Sequence, residues 1–390
     1  MDPTRRELLH AAAAIALSAT RLTAAKYDLL VKGGRVIDPA GRRDGIADVA
    51  ISDGRIAAMA RDLPASDAAD VLDARGKVVT PGLVDIHMHA DADMPPAHCL
   101  STGVTAMTDA GSRGTDNVAE LVHLAATAPN RMHVLLNLGR TGLGNVGELL
   151  DLANADVAAA RRAVEAHPGV IVGIKARLSR NAAAEHDLEA IRRAHQITVP
   201  LKLTLMVHIG QTVSALPAIL ALLRPGDIVT HVYAPPPNGI LDANGRVLAE
   251  VRGARERGIL FDVGNGRTAH ITWDVAERAL QQDFLPDTIS SDLTAPGRTD
   301  RVFDFPTVLS KFLMLGLSLD QVIARATVNA AKAMPPFRAL GTLAVGAPAD
   351  VAVFELRDGT FEFVDNERVP RSGRHMLVPF AVVMRGQRVR

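Results

Sequence analysis

Pro81-Gly82-Leu83-Val84-Asp85-Ile86-His87-Met88-His89 decides how the rest of the chain reads. Pro-Gly punctuates local structure, and the apolar run after it carries a polar group at Asp85, His87 and His89. In a strand, side chains alternate between faces, so Asp85, His87 and His89 fall on one side and Ile86 and Met88 on the other. Two imidazoles then converge on one metal.

Working outward, eight short apolar runs follow one another: 83–90, 104–109, 134–138, 170–176, 203–209, 228–232, 259–263 and 288–293. Most gaps between them read as helices, at 157–166, 187–195, 213–223, 247–257 and 274–281, rich in Ala, Leu, Arg and Glu with apolar residues three and four apart. Strand and helix alternating eight times predict an α/β fold, a closed (β/α)8 TIM barrel over residues 81–340. A doubly wound open sheet is the structural alternative.

Both flanks have a different texture. Residues 26–80 show short strands at 29–32, 35–38 and 55–57, separated by Gly33-Gly34 and Asp53-Gly54 turn signals. Residues 341–390 repeat the pattern at 349–354 and 380–384, which predicts a small β-sandwich domain built from both chain ends. Residues 1–25 read separately. Arg5-Arg6, a mildly apolar 10–19 and the small residues of 22–25 resemble a twin-arginine signal peptide, which implies export to the periplasm. The rest of the chain has no apolar run long enough to span a membrane.

The chain has 390 residues, with 43 basic side chains balanced by 43 acidic ones, so no long-range field recruits nucleic acid or an anionic membrane. The expected partner is a small molecule, and a homo-oligomer is compatible with the sequence. The lone Cys99 has no disulfide partner and reads as a small buried apolar residue.

Further polar residues interrupt the later runs: Lys175 in the fourth, His208 and His231 near the ends of the fifth and sixth, and Asp292 in the eighth. Each has an ordinary explanation alone: a hydrogen-bonded core histidine, a salt-bridged lysine, a capping aspartate. Together they sit where the active site of such a barrel lies, and a metal cluster accounts for all of them in runs where an unpaired charge is costly. The other nine histidines, among them His98, His133, His186 and His270, lack that placement and read as structural. Arg177, two residues beyond Lys175, should share its face one layer nearer the barrel mouth. There it would either bind a substrate carboxylate or pair with a rim acid.

The stretch from Pro81 to His89 resembles the first-strand signature of the amidohydrolase superfamily. Gly103-Val104-Thr105, Asp109-Ala110-Gly111-Ser112, Val172-Gly173-Ile174-Lys175 and Leu285-Pro286-Asp287-Thr288-Ile289-Ser290-Ser291-Asp292-Leu293 resemble its dihydroorotase-like branch, associated with deacetylase activity. The resemblance extends over about residues 27–390, including the tail segment Gly346-Ala347-Pro348-Ala349-Asp350. The resemblance implies two divalent metal ions, with zinc favoured and manganese, cobalt and iron sharing its donor types. It assigns His87, His89 and Asp292 to one ion, His208 and His231 to the other, and a carbamate on Lys175 between them. A metal-bridging hydroxide would attack an acyl amide or ester, with Asp292 as the catalytic proton carrier. Ring opening of a cyclic amide and an inactive scaffold are the alternatives. Two departures stand out: Gly264-Asn265-Gly266 where the branch has a histidine between glycines, and Ala234-Pro235-Pro236-Pro237 after His231. Both loops should border the substrate.

Overall fold

The computed structural model describes residues 25–144 and 147–390, so the signal-like segment lies outside the described residues apart from Ala25. Seven parallel strands form the barrel wall in sequential order: β6 (Leu83–Met88), β7 (Val104–Ala110), β8 (Arg131–Asn137), β9 (Ile171–Arg177), β10 (Thr204–His208), β11 (Ile228–Thr230) and β12 (Leu260–Asp262). These strands are buried on both faces, as parallel strands sheathed by helices must be. Leu83, Met107, Val134, Ile174 and Val207 belong to the cluster shared with the surrounding helices. Val84, Ile86, Ala106, Leu135 and Met206 pack with Ala330, Met334 and Phe337.

The eighth run closes the wall by isolated bridges, Asp262 to Thr288 on one side and Met88 to Leu293 on the other, in place of the expected strand. Backbone bonds run along both seams, Val263 N to the Thr288 carbonyl at 3.2 Å and Asn265 N to the Ser290 carbonyl at 3.1 Å on one side. On the other, Asp292 N donates to the His87 carbonyl at 2.7 Å and His89 N to the Leu293 carbonyl at 2.9 Å, and side chains reinforce both seams. Thr288 Oγ1 and Ser290 Oγ donate to the Asp262 carboxylate at 2.7 and 2.6 Å, and Ser291 Oγ donates to Asp85 Oδ2 at 2.5 Å. Asp85 therefore turns to Ser291, and the register of β6 on β7 shifts between Asp85 and Met88, so strict alternation does not run through the whole motif.

The second sheet takes strands from both ends: β1 (Tyr27–Asp38), β2 (Arg43–Ser52), β3 (Arg55–Ala60), β4 (Ala68–Asp73), β5 (Val78–Pro81), β13 (Val351–Val364), β14 (Pro370–Met384) and β15 (Gln387–Arg388). It is one mixed sheet in the order β15-β14-β13-β5-β1-β2-β3, with β4 also on β1. Val31, Val49 and Ile56 share one apolar cluster with Val351, Val353 and Val383, so the two wings of a single sheet enclose the core expected between two. Gly33-Gly34 does not end a strand. β1 runs through it with a bulge between Val31 and Gly34, and a Cβ on Gly34 would strike the Val79 side chain. The β13–β14 hairpin is far longer than the two short runs read at 349–354 and 380–384, and its tip, residues 365–369, reaches back to the barrel.

Candidate metal centre

His87 is in β6 and His89 just past its end, Lys175 is in β9, His208 ends β10, His231 follows β11, and Asp292 lies on the run that closes the barrel. All six line one cavity of about 210 Å³. His231 and Asp292 adopt φ of +67° and +48°, left-handed values that cost a non-glycine residue roughly 1–3 kcal/mol and persist where the surroundings enforce them.

The hydrogen bonds behind the imidazoles fix which nitrogen faces the cavity. Thr230 Oγ1 donates to Asp262 at 2.7 Å, so it accepts from His87 Nδ1 at 2.9 Å. Ser112 Oγ donates to Asp109 at 2.7 Å and accepts from His89 Nδ1 at 2.9 Å. His231 Nδ1 donates to the Gly264 carbonyl at 2.8 Å. In all three rings the proton resides on Nδ1 and the lone pair on Nε2. For His87 and His89 that atom lies 3.3 and 3.0 Å from Asp292 Oδ1. Oriented imidazoles with outer-partner support are the donor chemistry a divalent cation requires.

Electrostatics point the same way. Burial, reinforced by neighbouring His270, holds His208 and His231 well below the ordinary histidine range and thus neutral. Burial opposes the charge of Asp292, but the surrounding imidazoles in their protonated form, His87 first, outweigh it and hold the carboxyl well below its usual range; a divalent cation at the same nitrogens would supply that positive charge instead. Burial pushes Lys175 down to about 8, and its Nζ sits 2.9 Å from His87 Nε2.

His270, read from sequence as structural, belongs to the site. Its ring stacks on His231 at 3.9 Å and meets His208 edge-on at 5.1 Å. Its Nδ1 lies 2.8 Å from Asp292 Oδ2 but lacks a partner of hydrogen-bond geometry. An imidazole binds metal through an in-plane lone pair, and stacked rings project their lone pairs side by side. His270 nevertheless keeps a ring nitrogen within 4.8 Å of those of His208 and His231, so it stands at the edge of that half of the ligand set, while His87, His89 and Asp292 form the other. It comes from the loop after β12, where no strand pattern marks it.

Arg177 does line the cavity, but its Nε and Nη2 each donate to the buried Glu148 carboxylate at 2.8 Å. The two loops expected at the substrate do not both arrive. Pro236 borders a separate cavity with Asn238, Leu241, Asp274 and Arg278, and Asn265 turns away, accepting from Lys311 and donating to the Gly266 carbonyl. Arg267, Thr268 and His270 line the metal-site cavity in its place. Sequence reading also missed Thr230 and Asp262, whose roles as bracing partners no spacing rule announces.

A barrel that gathers oriented imidazoles, a lysine and a carboxylate at its strand ends defines a metal-dependent hydrolase. No family model matches the chain. A deacetylase of Enterococcus faecalis is 30% identical over 370 residues, covering 93% of this chain and 98% of the relative. A deacetylase of Brucella anthropi is 30% identical over 352 residues, covering 87% of each. Crystal structures of an adenine deaminase and a dihydroorotase superpose with TM-scores of 0.85 and 0.84 at 29% and 28% identity. Each alignment covers 93% of this chain, with 99% of the former and 98% of the latter. The chain belongs to the amidohydrolase superfamily, in its dihydroorotase-like branch, and is a hydrolase acting on C–N bonds.

Proposed function

We propose that this protein removes an acyl group, most simply acetyl, from an amide or ester of a small molecule. The observation that carries the reading is the set of Nε2 lone pairs aimed into one cavity around Asp292. Two divalent ions, zinc by donor type, are assigned to His87, His89 and Asp292 on one side and His208 and His231 on the other, with Lys175 between. So held, they would supply Lewis acidity toward the acyl oxygen and an activated water. Asp292 accepts the proton of the attacking water and returns it to the departing nitrogen or oxygen.

For Lys175 to serve an anionic role, its neutral amine adds to the carbon of carbon dioxide and releases one proton, leaving a carbamate. An amine of pKa about 8 is roughly one-tenth neutral at pH 7, several hundredfold more than an ordinary lysine. Burial thus favours the modification.

The experiment is a turnover panel with metal-loaded protein on acetyl esters, acetyl amides, cyclic amides and adenine. Hydrolysis of acyclic acyl substrates above the others is expected; preference for a cyclic amide or for adenine would overturn deacylation. Among the described residues no helix is long and apolar enough to cross a membrane. We infer twin-arginine export from Arg5-Arg6, and unchanged fractionation after replacing both with lysine would refute it.

A further inference from the structure

The tip of the β13–β14 hairpin belongs to the small sheet by its strands, yet it is buried against the barrel: Asp365 and Asn366 are 1% and 7% exposed. Asn366 uses the whole hydrogen-bonding capacity of its side chain on one loop. Its Oδ1 accepts from His270 N at 2.8 Å and Ile271 N at 3.3 Å, and its Nδ2 donates to the Asn265 and Gly266 carbonyls at 3.3 and 3.1 Å. The neighbouring tip residues grip the continuation of that loop. Asp365 Oδ2 accepts from Trp273 N at 3.0 Å, and the Val369 carbonyl accepts from Trp273 Nε1 at 2.8 Å.

The clamped loop is the one that brings His270 to the site. There His270 touches Asp292 with Nδ1, covers a face of His231 and stands edge-on to His208. The fit has no slack on the loop side. Gly266 has φ +52°, and a Cβ there would collide with both His270 Nδ1 and Asp292 Oδ2. Asp292 itself rests at a strained φ of +48°, so its carboxylate depends on what packs around it.

We propose that Asn366, from the C-terminal hairpin, is a positioning residue that acts through His270 to set Asp292 and His231, so that the small sheet completes the active site. The proposal rests on the hydrolase reading of that site. A clamp that merely stabilised the fold would lower stability whatever stood at position 270. A clamp that works through His270 has nothing left to position once that ring is gone.

The test is a double-mutant cycle on full-length, metal-loaded protein with Asn366→Ala and His270→Phe, the phenylalanine keeping the volume of the ring. Turnover, the visible absorption of the cobalt-substituted protein and the thermal midpoint are read for each. Asn366→Ala is expected to lower kcat about ten- to hundredfold with metal content retained and KM little moved, the scale of a misplaced reacting group. It should also shift the cobalt bands. In His270→Phe, adding Asn366→Ala should cost little further kcat and leave the bands where His270→Phe puts them. Multiplying losses, or cobalt bands indifferent to Asn366→Ala, would overturn the proposal. If alanine folds poorly, Asn366→Ser, which removes the bonds to the Asn265 and Gly266 carbonyls without burying a charge against them, takes its place; kcat and cobalt bands that it leaves unmoved would likewise overturn the proposal. If wild-type protein hydrolyses nothing, the hydrolase reading fails while the cobalt spectra still decide the role of Asn366.

Discussion

His87 and His89 stand on or beside a barrel strand, each braced through a hydroxyl by a buried aspartate. His270 reaches the same cavity from a loop held by a side chain 96 residues further along the chain. The first arrangement is local to the sheet, where strand spacing dictates which atoms meet. The second depends on a hairpin from another sheet finding its seat. The residues we propose as ion ligands on the wall and the residue that shapes the space beside them are thus supported by different parts of the molecule, and substitutions should tell the two apart.

The largest expected effect lies on the strand side. Asp292→Asn keeps the size of the side chain but removes its proton acceptor. It should cost two to four orders of magnitude in kcat with folding intact, by steady-state kinetics beside circular dichroism. Near-normal turnover with metals still bound would remove Asp292 from the mechanism.

Position on a strand end does not by itself make a residue functional, and Arg177 sharpens that point. Arg177→Met leaves the Glu148 carboxylate, whose side chain is fully buried, without its partner. We expect a loss of about 3 kcal/mol in denaturant unfolding, the lower end for breaking a buried pair because the arginine is partly exposed. A loss below about 1 kcal/mol would show that the pair is not structural.

The loop side offers Arg267 instead. It lines the cavity and stands 3.6 Å from Asp300, a carboxylate it shares with Arg301 and Arg368. Three guanidiniums on one acid leave positive charge over, so an N-acetyl amino acid should be preferred to its amide. Arg267→Met should reduce that preference in kcat/KM about tenfold, the scale of a charge-assisted hydrogen bond. An unchanged ratio would place substrate recognition elsewhere.

The smallest effect concerns the support beneath the loop. Lys311, buried under Asn265, is pushed down to about 7 by burial. Its folded pKa lies below its unfolded one, so between about pH 7 and 10 the unfolded chain binds more protons and this residue makes stability rise with pH. From pH 7 to 8 its share is about 1 kcal/mol at most. Lys311→Met should flatten the rise in a denaturant series, and an unaltered pH slope would contradict the assignment.

The barrel and its six strand-end residues were legible because both follow short-range rules. Apolar runs of strand length recur, and His87, Lys175, His208, His231 and Asp292 interrupt them where burial forbids an unpaired polar group. The closing run 288–293 reads as a strand by pattern and does bond through its backbone to both neighbours, but the hydroxyls of Thr288, Ser290 and Ser291 that reinforce those seams are nothing periodicity registers. Arg177 was correctly placed on the wall, but its partner Glu148 comes from a connection without regular pattern. His270 and Asn366 were invisible for the same reason. Each acts through a loop, and contacts between loops distant in sequence leave no spacing to read.

The central claim is that the cavity around Asp292 is a binuclear metal centre. Elemental analysis of protein purified from zinc-supplemented medium, with the mass of the peptide containing Lys175 read under non-acidic conditions, tests it most directly. Two divalent ions per chain and a carbon dioxide adduct on Lys175 are expected. One ion or none, with Lys175 unmodified, would contradict it.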